Sequence, residues 1–413
     1  MQDATDLEEL RRARWFAGKA RRIRAIREVG RFTVDNGAGL ALADVAYEDG
    51  GQERYLLLDD GLRWGPLLRG LQRRPLDGPA GRLELRPSPA LAALMPDAPD
   101  AAEHVPSTDQ SNTLVAVGDR LLVKAYRKLE AGLHPEVELG AALAGSDAPV
   151  PAHGGSVHHV APDGADTAIA LLQELVIDAV SGWEPPIEAM ATALRGEAAA
   201  RDAVVAFWAA AGGAAGGLQT ALADRLGLAH DPGAPARWRA DAGAALAEAA
   251  GCDADAAAAR EPLAARLDAL IRGDGAPLTG RIHGDLHVAQ LLHAPGRVLV
   301  IDFEGDPTAP LLRRRAPDTP LRDVAALLRS IDHVGAAAAR RADGADPTAV
   351  VEASRAATLA AYRARASIAV DPGLLGALEA AAACRELVYA HRQLPEWLYA
   401  ARAGLRRLLD RTP

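Results

Sequence analysis

The sequence predicts an α+β chain of two lobes, strand-rich up to about residue 176 and mainly helical from there to residue 413. Three observations predict it. Short alternating apolar runs, punctuated by turn signals such as Asn36-Gly37 and Asp49-Gly50-Gly51, recur as far as Val176. Beyond Pro185 the composition shifts to Ala, Leu, Arg and Asp, residues that favour or decorate helices. At 413 residues the chain is too long for one ordinary core, so roughly two or three packed units are expected.

A hydrophobic content of 49% excludes wholesale disorder. The net charge of −9, from 46 basic and 55 acidic residues, argues against a nucleic-acid partner. No uncharged apolar run reaches the roughly 18 residues of a membrane span, and the N-terminal Met-Gln-Asp-Ala-Thr-Asp is acidic rather than a signal peptide. Two cysteines, Cys252 and Cys384, form neither a disulfide framework nor a metal cluster. A cytoplasmic protein with no membrane and no obligate protein partner is the expectation.

Taken in order, residues 5–22 read as a basic helix ending in Arg14-Trp15-Phe16-Ala17-Gly18-Lys19-Ala20-Arg21, with Trp15 and Phe16 as an aromatic plug. Strands follow at Gly30–Val34, Gly39–Tyr47 and Glu53–Leu58, giving a strand-rich cap over residues 1–89. Residues 90–176 form a second β-rich part. Ser107–Lys124 reads as strand, Gly-Asp hairpin and strand. A helix is expected from Pro135 to Ala144, with Pro135 in its first turn and Glu136 and Glu138 near its positive end. Asp166–Val176 reads as a buried strand. Residues 177–413 are helical, broken at Gly212-Gly213, Gly216-Gly217 and Asp231-Pro232-Gly233, with two short strands around residues 282–304.

That last interval carries the chemistry. In Ile282-His283-Gly284-Asp285-Leu286-His287-Val288-Ala289-Gln290 an acid follows a His-Gly pair, and Val298-Leu299-Val300-Ile301-Asp302-Phe303-Glu304 ends an apolar run on another. A phosphoryl-transfer site needs this set: one carboxylate to take a hydroxyl proton, and an amide and a second carboxylate to hold magnesium against nucleotide phosphates. Asp285 is the expected base, with Gln290 and Asp302 as metal ligands; a polar turn before a buried strand does not account for an acid at the end of Val298–Ile301. His287 reads equally as a loop-packing residue or a substrate contact. A metallohydrolase built on His283, Asp285 and His287 lacks further histidines with a matching acid at ligand spacing.

Lys124 ends an apolar strand, where an ammonium needs an anion. Glu138 is its expected partner and Glu136 the second choice, since residues i and i+2 lie on different helix faces. Ser111, Asn112 and Thr113 stand where a phosphate-covering loop belongs, without glycines. Gln173, Glu174, Leu175 and Val176 form a plausible adenine-pairing connector at the end of a buried strand, or an ordinary one.

These motifs, in this order, resemble the aminoglycoside-phosphotransferase-like kinases, and more closely the actinobacterial maltokinases and their glucosamine-kinase relatives. The resemblance rests on Arg14–Lys19, Ser111–Lys124, the 282–305 stretch and Pro317-Asp318-Thr319-Pro320-Leu321-Arg322-Asp323-Val324-Ala325. It implies a bilobal protein-kinase-like fold with an N-terminal cap, a nucleotide-binding intermediate subdomain and a helical C-lobe. It also implies ATP as co-substrate and Mg2+ as cofactor. Lys124 with Glu138, the 174–176 hinge, Asp285, Gln290 and Asp302 take the same roles under it.

Two departures from maltokinases bear on the acceptor. The cap reads Ala17-Gly18-Lys19-Ala20 where maltokinases usually have Gly-Gly-Lys-Gly. Where they tend to show two tyrosines one helical turn apart, this chain has Arg385 and Tyr389. A smaller or more polar sugar is therefore expected, with Asp285, His287, Arg385, Glu386, Tyr389, Arg392, Gln393 and Trp397 as candidate contacts and Asp306 in reach. An amino sugar wants a carboxylate and an aromatic wall. D-Glucosamine is the favoured acceptor, maltose the alternative, and an aminoglycoside the more distant one.

Overall fold

The computed structural model describes residues 13, 15–19, 21–34, 37–106, 111–271, 276–307 and 309–411. Most of the expected opening helix, together with Arg14, Asn36 and residues 107–110, lies outside them. The chain divides into two compact units: residues 1–145 with 151–177, and residues 146–150 with 178–413.

In the first unit a four-stranded antiparallel sheet has the order β1-β2-β3-β9, with β1 Ile23–Thr33, β2 Gly39–Tyr47, β3 Gln52–Leu58 and β9 Lys128–Leu129. A seven-stranded sheet has the order β4-β5-β10-β11-β8-β7-β6, with β4 Leu76–Gly78, β5 Gly81–Pro87, β6 Glu103–His104, β7 Thr113–Val117, β8 Leu121–Ala125, β10 His153–Val160 and β11 Asp166–Glu174. Three helices accompany them: α1 Trp64–Arg73, α2 Leu91–Leu94 and α3 Pro135–Leu143.

The period-2 geometry of β2 explains why the sheets belong together. Leu40 and Leu42 enter a large core shared with Trp64 and Leu68 of α1, Leu83 of β5, Val123 of β8 and Ile169 of β11. Val45 and Tyr47 lie instead in a small aromatic core with Phe16 and Tyr55. Trp15 and Phe16 do plug that core, with ring centroids 6.0 and 5.0 Å from Tyr55. β5 pairs with β10 from Arg82↔Val160 to Pro87↔Gly155, so the chain enters the second sheet before residue 89, where the sequence reading ends the cap.

The second unit contains ten helices among the described residues: α4 Glu184–Leu194, α5 Ala198–Leu226, α6 Ala234–Cys252, α7 Ala254–Ala258, α8 Arg260–Leu267, α9 Leu311–Arg314, α10 Leu321–Arg341, α11 Thr348–Arg365, α12 Pro372–Gln393 and α13 Leu398–Asp410. Strands β12 Val180–Ser181, β15 Leu291–Ala294 and β16 Arg297–Val300 form one small sheet; β13 Leu228–His230 and β14 Leu278–Gly280 form another. No described helix is long and apolar enough to cross a membrane.

The helix breaks expected at Gly212-Gly213 and Gly216-Gly217 are absent, and α5 runs unbroken for 29 residues. Gly212 and Gly216 lie one turn apart and admit α11 close to the α5 backbone. A methyl group on Gly212 would fall 2.2 Å from the Thr358 carbonyl oxygen, and one on Gly216 2.7 Å from that of Tyr362. Thr358 Oγ1 donates to the Trp208 carbonyl at 3.1 Å across the same contact. Gly213 faces open space. Gly212→Ala is therefore expected to destabilise the unit by about 1–3 kcal/mol through overpacking, and Gly213→Ala to stabilise it by up to about 1 kcal/mol through helix propensity. Opposite shifts in the thermal midpoints of the two variants check this.

Candidate active site

In the first unit, the sheet delivers Lys124 from β8 into the interior, between Leu114 on β7 and Leu171 on β11. Its ammonium meets Glu136, Nζ to Oε2 2.8 Å, where the sequence reading put Glu138. The reason is helix phase. Pro135 opens α3, and Glu136, in the first turn, is buried with 3% of its surface exposed while Glu138 is half-buried. Tyr126 donates its hydroxyl to the same Glu136 Oε2 at 2.9 Å, and its ring stacks on His134 with centroids 4.0 Å apart. The pair is thus supplied with a third polar partner, which a buried ion pair requires.

Ser111 and Asn112 precede β7, and Thr113 opens it. Asn112 Oδ1 accepts from the Arg127 N–H at 3.2 Å and Thr113 Oγ1 from Arg127 Nε at 2.7 Å, so both side chains shape the loop. At the end of β11, the Glu174 N–H donates to the Ala152 carbonyl and the Leu175 N–H to that of Arg120. Val176 therefore carries the segment's next backbone donor. Gln173 remains within the ladder, opposite Leu122 and His153.

In the second unit, the β15–β16 hairpin brings Gln290 and Asp302 together. Leu291 pairs with Val300, and the Ile301 N–H donates to the Gln290 carbonyl at 3.0 Å, so the two residues flank the open end of the hairpin. Asp302 has φ +68°, a left-handed conformation that Asp tolerates better than most side chains.

Asp285 is held by an arrangement that sequence reasoning missed. Asp323, in the first turn of α10 and almost wholly buried, accepts the His283 N–H and the Gly284 N–H, both at 2.9 Å. His283 Nδ1 accepts the Asp285 N–H at 3.3 Å, which leaves the ring proton on Nε2, donating to the Ile301 carbonyl at 2.9 Å. One imidazole thus joins Asp285 to the strand end that carries Asp302. Burial, followed by the charges of Asp306, Asp302 and Asp323, pushes the Asp285 carboxyl up to about 8.

His287 accepts the Ala289 N–H on Nδ1 at 3.3 Å, capping the turn 288–290. Its Nε2 lies 3.7 Å from Asp285 Oδ2 and 3.4 Å from Gln290 Nε2. Burial, with His283 and His333 adding to it, pushes the ring down to about 4, so it is neutral. It serves the loop and faces Asp285 at once.

The candidate sugar contacts are scattered along α12 and beyond. Glu386 turns inward to α10, where Arg329 Nη2 and Nε donate to its Oε2 at 2.7 and 3.1 Å and His333 Nε2 lies 3.1 Å away. Against burial, which alone raises it, Arg329 and His333 hold the Glu386 carboxyl well below the usual range. His333 is also near enough to disfavour protonation of His287, which links Glu386 electrostatically to the catalytic loop. Arg385, Tyr389 and Gln393 are exposed, and Arg392 is paired with Glu248 of α6. Trp397 sits edge-on to Trp183 at 5.2 Å and stacks on Tyr399 at 5.9 Å, still partly exposed.

Arg329 and His333, which hold the candidate contact Glu386, are residues that sequence reasoning missed. Their signal is Leu327-Leu328-Arg329-Ser330-Ile331-Asp332, a charged pair at i and i+3 inside an apolar stretch.

Residues 103–306 match the phosphotransferase enzyme family and residues 10–67 the maltokinase N-terminal cap domain. The chain is 34% identical to a glucosamine kinase of Mycolicibacterium smegmatis over 318 residues, 74% of this chain and 79% of that one. It is 32% identical to a glucosamine kinase of Streptacidiphilus jiangxiensis, over 85% and 86% of the two chains. A solved glucosamine kinase in complex with glucosamine, ADP and inorganic phosphate superposes with a TM-score of 0.73 at 26% identity, covering 96% of each chain. A second crystal form of a glucosamine kinase gives 0.76 at the same identity and coverage.

The raised carboxyl of Asp285 has a sign that can be measured without substrate. Folded protein binds a proton there that unfolded chain releases near the ordinary Asp value of about 3.9. Stability is therefore lost as pH rises from that value through about 8. In metal-free buffer Asp285→Asn is expected to melt higher than wild type, by a margin that widens between roughly pH 4 and 8. Thermal melts across that range check it; a margin that narrows with pH contradicts the assigned environment.

Proposed function

The chain belongs to the glucosamine kinase family, and on that premise we propose that it transfers the γ-phosphoryl group of ATP to a hydroxyl of D-glucosamine with Mg2+ bound. The observation that carries this reading is the Asp285 loop, locked by Asp323 and His283 next to the hairpin end that bears Gln290 and Asp302.

The donor set fits a hard divalent cation. It offers a carboxylate and a neutral amide oxygen within a group of acids whose mutual repulsion already raises Asp285. Gln290 and Asp302 would hold the ion, which neutralises charge on the transferred phosphate when bound. Lys124, fixed by Glu136, is the cation for the nucleotide phosphates on the β-rich side, with Ser111, Asn112 and Thr113 lining the covering loop. Val176 offers its N–H to the purine edge.

Asp285 orients the acceptor hydroxyl and takes its proton as the oxygen attacks the γ-phosphorus and the bond to the ADP oxygen breaks. Its elevated proton affinity suits that task. On the sugar side, Glu386 stays ionised and gives the substrate ammonium an anion, with the partly exposed Trp397 as an aromatic wall. The 34% identity to a glucosamine kinase over most of both chains supports this choice over maltose.

Asp285→Ala is expected to lower kcat by about 10²- to 10⁴-fold while ADP still binds. Asp302→Ala is expected to abolish the dependence of ATP affinity on Mg2+. Calorimetric titration with nucleotide, alongside turnover, checks both; Asp285→Ala within about tenfold of wild type overturns the base assignment. The acceptor is checked by ATP consumption against glucosamine, glucose, maltose and an aminoglycoside. Glucosamine is expected to be preferred, and a clear preference for maltose or the aminoglycoside refutes that choice.

A further inference from the structure

The N-terminal cap has no part in the chemistry described so far, yet Trp15 of its most prominent motif packs against Arg127. The guanidinium carbon of Arg127 lies 4.6 Å from the centroid of the Trp15 ring, on its face. Trp15 in turn packs on Tyr55 of β3. The same guanidinium donates from Nη1 to the Leu56 carbonyl at 3.1 Å, and the Leu56 N–H donates to the Arg127 carbonyl at 2.8 Å. On its other side Nε donates to Thr113 Oγ1, and the Arg127 backbone N–H to Asn112 Oδ1.

We infer that Arg127 is a positioning residue through which Trp15 of the cap holds Asn112 and Thr113 in place for the nucleotide. The inference rests on the reading above that residues 111–113 cover the ATP phosphates.

Two features argue against a merely structural arginine. Its neighbour Lys128 is neutralised by Glu53 at 2.8 Å, whereas Arg127 pairs with no carboxylate among the described residues. Burial alone pulls its guanidinium down to about 10, so the folded chain carries this charge at a loss. An apolar side chain of similar length would fill the space without that penalty. What it would not reproduce is the fork: two nitrogens bonding in different directions while the plane stacks on an indole, a geometry that lysine also lacks.

The register adds a covalent link. Lys124 lies one residue before the end of β8, and only Ala125, Tyr126 and Arg127 separate it from β9, the edge strand of the cap sheet. A shift of the cap is thus transmitted at once to Lys124 through the chain and to the 111–113 loop through Arg127.

The test uses the full chain and five variants, measuring kcat, KM for ATP, KM for glucosamine and thermal midpoint. Arg127→Met and Trp15→Leu are expected to raise KM for ATP about tenfold, equivalent to one or two net hydrogen bonds, with KM for glucosamine within about twofold of wild type. Arg127→Lys, which keeps the charge without the fork, is expected to fail to restore KM for ATP. Phe16→Leu, which loosens the cap core without touching Arg127, is expected to lower the midpoint and leave KM for ATP unchanged.

Unchanged KM for ATP in Arg127→Met, or an equal rise in Phe16→Leu, overturns the coupling. Lys124→Ala separates the two readings. If it weakens ATP binding while Arg127→Met does not, only the coupling fails. If neither does, the nucleotide assignment fails as well.

Discussion

The loop that carries Asp285 is built on one buried carboxylate, that of Asp323. Two successive backbone N–H groups, those of His283 and Gly284, converge on its two oxygens inside the protein. Left without an acceptor, each would carry the full penalty of a buried donor, about 1–3 kcal/mol. The bond pair therefore dictates the course of the chain just before Asp285. Gly284, at φ +84°, then turns the backbone as few other residues can. With the loop held from α10, His283 is free to use both ring nitrogens, one toward Asp285 and one toward the end of β16.

A second ionic assembly surrounds Glu386 and follows a different logic. Arg329 bonds Glu386, Asp332 and the Gly404 carbonyl; Arg411 also closes on Asp332, and Arg355 joins Glu379. Buried pairs of this kind add little net stability compared with apolar side chains of the same shape. Their effect here is geometric. They tie α10, α11, α12 and the end of α13 into one frame and present an ionised Glu386 whose position is decided by three helices rather than by its own rotamer.

Local signals reach what is locally encoded. Gln290 and Asp302 meet through a hairpin whose two strands and turn are consecutive in the chain, and Lys124 follows its apolar run directly. Contacts between distant segments were out of reach. Whether Glu136 or Glu138 met Lys124 depended on where α3 starts and which face docks, two residues having opposite answers. Gly212 and Gly216 carry the composition of a helix break, but their meaning lies in α11, about 150 residues on, where Thr358 reaches the α5 backbone. The pairing of β5 with β10 is of the same kind, since nothing within β5 names its partner.

The left-handed backbone at Asp302 has a consequence for how this chain can change over time. Most substitutions there meet strain from the backbone as well as loss of the carboxylate. Asn and Gly are the exceptions: both accept φ near +68°. Each is one nucleotide change from an Asp codon. On the reading of Asp302 as a magnesium ligand, a single mutation can therefore remove the charge while leaving the hairpin undisturbed, which gives this lineage a short path from kinase to a folded, catalytically silent binding protein.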